Sequence, residues 1–106
     1  YVFPQLKGLG SSSTAEFYGI DGLNEARAYL QHDILGPRLI SCTHAVIAHD
    51  DLSSEQIFGY PDYLKFRSCM TLFDLVSERE ENPFHDALRI FCNGEPDPET
   101  LQLLGP

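Results

Sequence analysis

A chain of 106 residues is long enough for one hydrophobic core and too short for two ordinary domains. Its apolar fraction of 42%, with seven Phe and five Tyr making up for a single Met and no Trp, is that of a folding chain rather than a disordered one. Seven basic against sixteen acidic residues give a net charge of −9, which opposes binding to nucleic acid and adsorption to anionic membranes, since both depend on clustered Lys and Arg.

No stretch approaches the roughly 20 apolar residues of a membrane span, and no cleavable signal is visible. Cys42, Cys69 and Cys92 are odd in number, widely spaced and lack a C-x-x-C pair. A secreted disulfide scaffold carries a denser, even set, so the expectation is reduced, largely buried thiols in a cytoplasmic protein.

Residues 1–20 are the least periodic part. Tyr1-Val2-Phe3-Pro4 reads as extended, because the residue before a proline avoids the helical region. A Gly/Ser-rich loop over Lys7 to Thr14 follows, and Phe17, Tyr18 and Ile20 return to the core. Asp21 is the expected cap of a first helix, with Leu23, Ala26, Tyr29 and Leu30 at helical spacing as far as His32-Asp33. Gly36-Pro37 is expected to open the next, since proline suits a first helical position; Leu39, Ile40, Thr43, Val46 and Ile47 supply its stripe to about His49.

Ser53-Ser54-Glu55-Gln56 has the form of a capping box and leads into a short helix ending at Phe58-Gly59. Pro61 begins the longest predicted helix, to about residue 78, with Phe66, Cys69, Met70, Phe73 and Val76 as its buried stripe and Asp62 in its first turn. Asn82-Pro83 repeats a cap-then-proline start for a helix carrying Phe84, Ala87, Leu88 and Phe91, which Asn93-Gly94 closes. Asp97-Pro98-Glu99 starts a last short helix with Leu101 and Leu104. No alternating strand pattern competes. The expected fold is all-α: a compact multihelical single domain over 1–106, of five or six short helices with an irregular Gly/Ser-rich N-terminal segment.

Chemistry-bearing patterns are sparse. His44 and His49 are five apart and so do not share a helix face; with His32 and His85 they complete no ligand spacing, and no metal or cofactor is expected. Lys65, Ser68 and Cys69 fall at i, i+3 and i+4 on one helix face, which reads better as packing, with the Lys65 stem along an apolar stripe, than as a Ser–Lys dyad. The segment from Gly8 to Thr14 has the glycines of a backbone nest for an anion but not the Gly-Lys-Ser/Thr of a P-loop. It gains meaning if Lys7, Lys65 and Arg67 converge on it. Asp50-Asp51 and the acids from Glu78 to Glu81 read as solvated loop ends.

Several stretches together resemble one family of small helical proteins: Phe3-Pro4-Gln5-Leu6, Gly8-Leu9-Gly10-Ser11-Ser12, Phe17-Tyr18-Gly19-Ile20, Glu25 to Leu30, Ile57-Phe58-Gly59 with Pro61-Asp62, Leu64-Lys65, and Ser68 with Met70-Thr71-Leu72-Phe73. This is the domain-of-unknown-function family numbered 1810, whose members are sometimes mislabelled calpastatin. The resemblance runs from Tyr1 to about Gly105. It implies a mainly α-helical fold, no established activity, and an additional N-terminal segment in relatives that this chain is expected to lack. Asp33 stands where a proline commonly follows the histidine, and Cys69 where a second serine is common.

The polar positions of those stretches, Gln5, Ser12, Ser13, Tyr18, Lys65, Ser68 and Thr71, are read as lining one cleft, with Phe3, Phe58 and Phe73 as walls and Lys7 beside the glycine loop. The alternative is that they cap helices and tie the loop to the long helix. The expected function is binding of a small anionic ligand, nucleotide-like or phosphorylated. Its rivals are a hydrolase or transferase in the same cleft, with His32 or Lys65 as the base, and an interaction module working through the acidic surface.

Overall fold

The computed structural model describes residues 3–4, 20–60 and 62–104, and in it the long central helix is the element around which the rest is arranged. The described residues form six helices, in chain order α1 (Leu23–Gln31), α2 (Leu35–Ile47), α3 (Ser54–Phe58), α4 (Asp62–Val76), α5 (Pro83–Phe91) and α6 (Pro98–Leu104). α4 packs against α1, α3, α5 and α6, while α2 closes the assembly against α1 and α5. The Cα radius of gyration is 12.8 Å, close to the ~13 Å expected of one compact domain of about this length.

Sequence explains the roles. α5 is one-sided: Phe84, Ala87 and Leu88 are buried, and His85 and Arg89 face outward. α4 is buried without interruption from Ser68 to Phe73, as a helix enclosed on several sides must be. Enclosing polar residues requires partners, and the helix supplies them itself. Ser68 donates to the Leu64 carbonyl at 3.0 Å, Thr71 to Arg67 at 2.8 Å, and in α2 Thr43 to Leu39 at 2.9 Å. Among the described residues no buried side-chain nitrogen or oxygen lacks a partner.

The core is aromatic. Phe66, Phe73 and Phe84 are fully buried, each contributing roughly 1.5–3 kcal/mol relative to exposure. Phe66 stacks on Phe58 with ring centroids 4.8 Å apart and meets the edges of Phe3 at 5.1 Å and Phe91 at 6.1 Å. Phe73 belongs to a second group, with Tyr29 and Phe84 each at 5.6 Å.

Helix ends are set by local chemistry. Ser53 and Gln56 make the expected capping box, with Ser53 Oγ accepting from Gln56 N at 3.1 Å and Gln56 Oε1 accepting from Ser53 N at 2.8 Å. Asn82 caps α5 by accepting from His85 N at 2.9 Å, with Pro83 at the first helical position. After α5, Asn93 (φ 55°) and Gly94 (φ 75°) turn the chain left-handed, and Gly94 N returns to the Leu88 carbonyl at 2.9 Å.

Two starts differ from expectation. Gly22, not Asp21, holds the cap position of α1, and Glu25 Oε2 accepts from Asp21 N at 3.1 Å. α2 begins at Leu35, ahead of Gly36-Pro37, because His32 Nδ1 accepts from both Ile34 N (3.1 Å) and Leu35 N (3.2 Å). Pro37 then falls in the first turn, where a missing N–H leaves no helical bond unmade. The observed helices also stop short of the predicted ends, at Ile47 and Val76.

Candidate functional site

Of the residues read as a ligand site, Gln5, Lys7, Ser12, Ser13 and Tyr18 lie outside the described residues, as does the Gly8–Thr14 segment. Lys65, Ser68 and Thr71 are described, and α4 sends them in different directions. Lys65 is exposed and pairs loosely with Asp62 at 3.8 Å. Ser68 and Thr71 are buried and face the chain after α5. Ser68 Oγ contacts Asp97 Oδ2 at 2.9 Å, and Thr71 Oγ1 accepts from Asp97 N at 2.8 Å. The same Asp97 oxygen accepts from Thr100 N (3.1 Å) and Thr100 Oγ1 (2.6 Å), so one carboxylate caps α6 and bolts it to α4.

Arg67 completes that bolt. Its Nε donates to the Glu95 carbonyl at 3.1 Å and its Nη2 to the Pro96 carbonyl at 3.0 Å, which spends the planar fork of donors on the main chain. Ser68 and Thr71 therefore tie helix to segment. Phe3 and Phe58 do meet, their rings 5.9 Å apart, but Phe73 is fully buried in the other aromatic group.

The thiols are unpaired. Cys69 is fully buried, and Cys42 and Cys92 only half so. Burial pushes the Cys69 thiol well above its ordinary value and raises that of Cys92, where nearby Arg67 works in the opposite direction. Neither has the electropositive setting of a nucleophile. Burial likewise raises the Tyr29 phenol.

A different concavity offers itself where the connection from α4 to α5 crosses α1 and α2. A groove of about 420 Å³ is floored by Val76 and Phe84, walled by Leu30 and Ile40, and flanked by Arg27 and Arg79. Glu78 and Glu81 also line it. The residues 77–82 that shape it are gathered by the Asn82 amide, which donates to Asp74 Oδ1 (2.9 Å) and the Arg79 carbonyl (2.9 Å). Ser77 is pinned by its Oγ to the Phe73 carbonyl at 2.7 Å. Arg27 donates to Asn24 Oδ1 at 3.2 Å across one turn of α1, whereas the Arg79 guanidinium has no hydrogen-bond or ion-pair partner among the described residues. Apolar side chains with Arg27 and Arg79 among the lining could hold a small molecule with one anionic end, provided that end avoids Glu78 and Glu81.

Sequence reading did not single out Arg27 or Arg79. Arg27 sat on the polar face of α1 and Arg79 in an acidic turn, and nothing local links them. Among the described residues no three or more His, Cys, Asp or Glu side chains gather where they would hold a metal ion, and no helix is long and apolar enough to cross a membrane.

A small helical domain, whose described residues form six helices with α4 at the centre, is the class that fold and groove define. The chain belongs to the protein family of unknown function DUF1810, whose profile matches residues 1–104. The crystal structure of the conserved hypothetical protein Rv1873 from Mycobacterium tuberculosis is similar, at 48% identity and a TM-score of 0.90, over 99% of this chain and 74% of that one. No functionally curated protein matches.

Proposed function

We propose that this protein binds a small molecule with an anionic end, a phosphorylated or nucleotide-like metabolite, in the groove between α1, α2 and the α4–α5 connection. The observation that carries the reading is that Arg27 and Arg79 line one apolar-floored groove of about 420 Å³, a size that suits such a ligand. In a chain of net charge −9, an arginine that has no partner among the described residues and lies beside apolar surface is poorly explained by solubility. The aliphatic and aromatic side chains of Leu30, Ile40 and Phe84 would hold the uncharged part of the ligand. The same charge supports a partner that is not nucleic acid, and three unpaired thiols support a cytoplasmic setting.

Thermal unfolding with inorganic phosphate, sugar phosphates, NAD and ATP tests this. A ligand at about 100 times its Kd stabilises by roughly 2.7 kcal/mol, and each kcal/mol moves the midpoint of a domain this size by about 4–8 °C. A shift that disappears in both Arg27→Ala and Arg79→Ala supports the groove. A shift retained in both, or absent across the panel, rejects it.

A further inference from the structure

We infer that Asp74 and His85 form a water-activating pair, and that the protein hydrolyses a carboxylic ester whose separate anionic end is held by Arg27 and Arg79. The choice of substrate rests on the groove reading above; the pair itself does not.

Asp74 lies near the end of α4 and His85 in the first turn of α5, so the helix–helix corner brings them together. Asp74 Oδ2 stands 3.4 Å from His85 Nδ1, while Oδ1 is fixed by the Asn82 amide at 2.9 Å. Asn82 in turn caps the helix carrying His85. The carboxylate is therefore oriented from one side and faces the ring from the other. An ionised carboxylate only accepts, so the proton shared between them sits on Nδ1. In that tautomer Nε2 carries the lone pair that a general base requires. At 3.4 Å the contact is longer than an ordinary hydrogen bond, and catalytic contacts of this kind commonly shorten only in the complex with substrate.

The imidazole is half exposed and opens into a concavity of about 490 Å³. Asp74, Ser77, Arg79 and His85 all line it, and it shares Ser77, Glu78 and Arg79 with the groove. The two concavities therefore adjoin along residues 77–79, and a ligand held in the groove would extend from there toward His85. Ser77 is not the nucleophile, because its hydroxyl is committed to the Phe73 carbonyl at 2.7 Å. Water is. Asp74, Glu78 and Glu80 give this second concavity an acidic character that repels a phosphodiester at the point of attack and tolerates an uncharged acyl bond.

The step balances without a further reactant. His85 Nε2 takes a proton from water as its oxygen bonds to the ester carbonyl carbon. The tetrahedral intermediate collapses with cleavage of the bond to the alkoxy oxygen, which receives that proton from Nε2. The products are the acid and the alcohol, and the imidazole returns neutral.

Release of nitrophenolate from 4-nitrophenyl acetate, which is neutral, and from mono-4-nitrophenyl succinate, which carries a carboxylate, tests the inference. His85→Gln is expected to lower kcat by about 100-fold or more on both esters. Asp74→Asn is expected to lower kcat as well, whereas His49→Gln, which removes an exposed imidazole elsewhere, leaves it at the wild-type value. A plot of wild-type kcat against pH should fall on the acid side, and that limb should be absent from the residual activity of His85→Gln. Unchanged thermal midpoints show that the variants are folded. Equal rates for wild type and His85→Gln overturn the hydrolytic inference, whatever the groove does. If instead His85 proves necessary but Arg27→Ala leaves KM for the succinate ester unchanged, the pair stands and the groove reading falls.

Discussion

Ser68 Oγ and Asp97 Oδ2, 29 positions apart in the chain, meet at 2.9 Å and join the middle of α4 to the first turn of α6. The bond is one of five that involve Asp97, the others being its main-chain N–H to Thr71 Oγ1, two from Thr100 to the carboxylate, and one from Leu101 N to its carbonyl. The buried Thr100 hydroxyl has this carboxylate as its acceptor.

Asp97→Ala is therefore expected to cost about 2–4 kcal/mol, the sum of a lost helix cap and of buried hydroxyls deprived of a charged acceptor. Urea unfolding measures it. Thr100→Val, which removes the dependent hydroxyl with little change of shape, should partly rescue Asp97→Ala; a strictly additive double variant would show that the two do not act as one unit.

Gly36 is irreplaceable for a steric reason. A Cβ at this position would stand 2.0 Å from the Leu30 carbonyl oxygen, a main-chain atom that no side-chain rotation can clear. Gly36→Ala should destabilise by about 2 kcal/mol or more, by forcing α1 and α2 apart. Gly22→Ala meets open space and serves as the comparison, with a change of no more than about 1 kcal/mol. Similar thermal midpoints for the two variants would contradict the close approach.

Cys69 predicts the behaviour in alkali. Burial holds its thiol well above the ordinary value of 9.0, so the folded state keeps a proton that the unfolded chain releases. The stability this contributes is complete below about pH 9 and is lost as the pH rises from there toward the folded-state value. Stability of the wild type should fall across that alkaline window, and the fall should be shallower in Cys69→Ala. Titration of the Cys69 thiol at its ordinary value in the folded protein would defeat the prediction.

Asn82 joins the cap of α5 to the shape of the groove. Asn82→Ala should cost about 1–2 kcal/mol from the lost cap and also release residues 77–82. Asn82→Asp retains an acceptor for His85 N but sets a second carboxylate against Asp74. Its deficit should therefore shrink as the pH is lowered into the carboxylate range, and a deficit independent of pH would argue against the contact.

Much of the fold was legible because it is written locally. Ser53 with Gln56, Asn82 with Pro83, and Asp97 with Pro98 declare helix starts within four residues of each other, and the Phe66–Phe73–Val76 stripe shows which face of α4 turns inward. The start of α2 was misplaced because an imidazole, not a usual cap, holds it. The family assignment was legible from combined motifs, and the profile over 1–104 bears it out. The arrangement around the sites was not legible. Arg27 with Arg79, Asp74 with His85, and Ser68 with Asp97 are contacts between elements, and residues on polar faces carry no mark of which neighbour they will meet. Ser68 and Thr71 stood out as polar positions in an apolar setting, yet that signal is the same for a ligand contact and for an internal tie.

The bolt at Asp97 also sets the order in which the molecule comes apart. α6 buries only Thr100 among its residues and leaves Leu101 and Leu103 partly in solvent, so polar bonds rather than apolar area secure it. Such a segment can lift away while the aromatic core around Phe66 and Phe73 stays closed. Amide protons of residues 98–104 should then exchange with solvent long before those in the middle of α4. On that outcome the last helix is a separate cooperative unit, latched to a core that outlasts it.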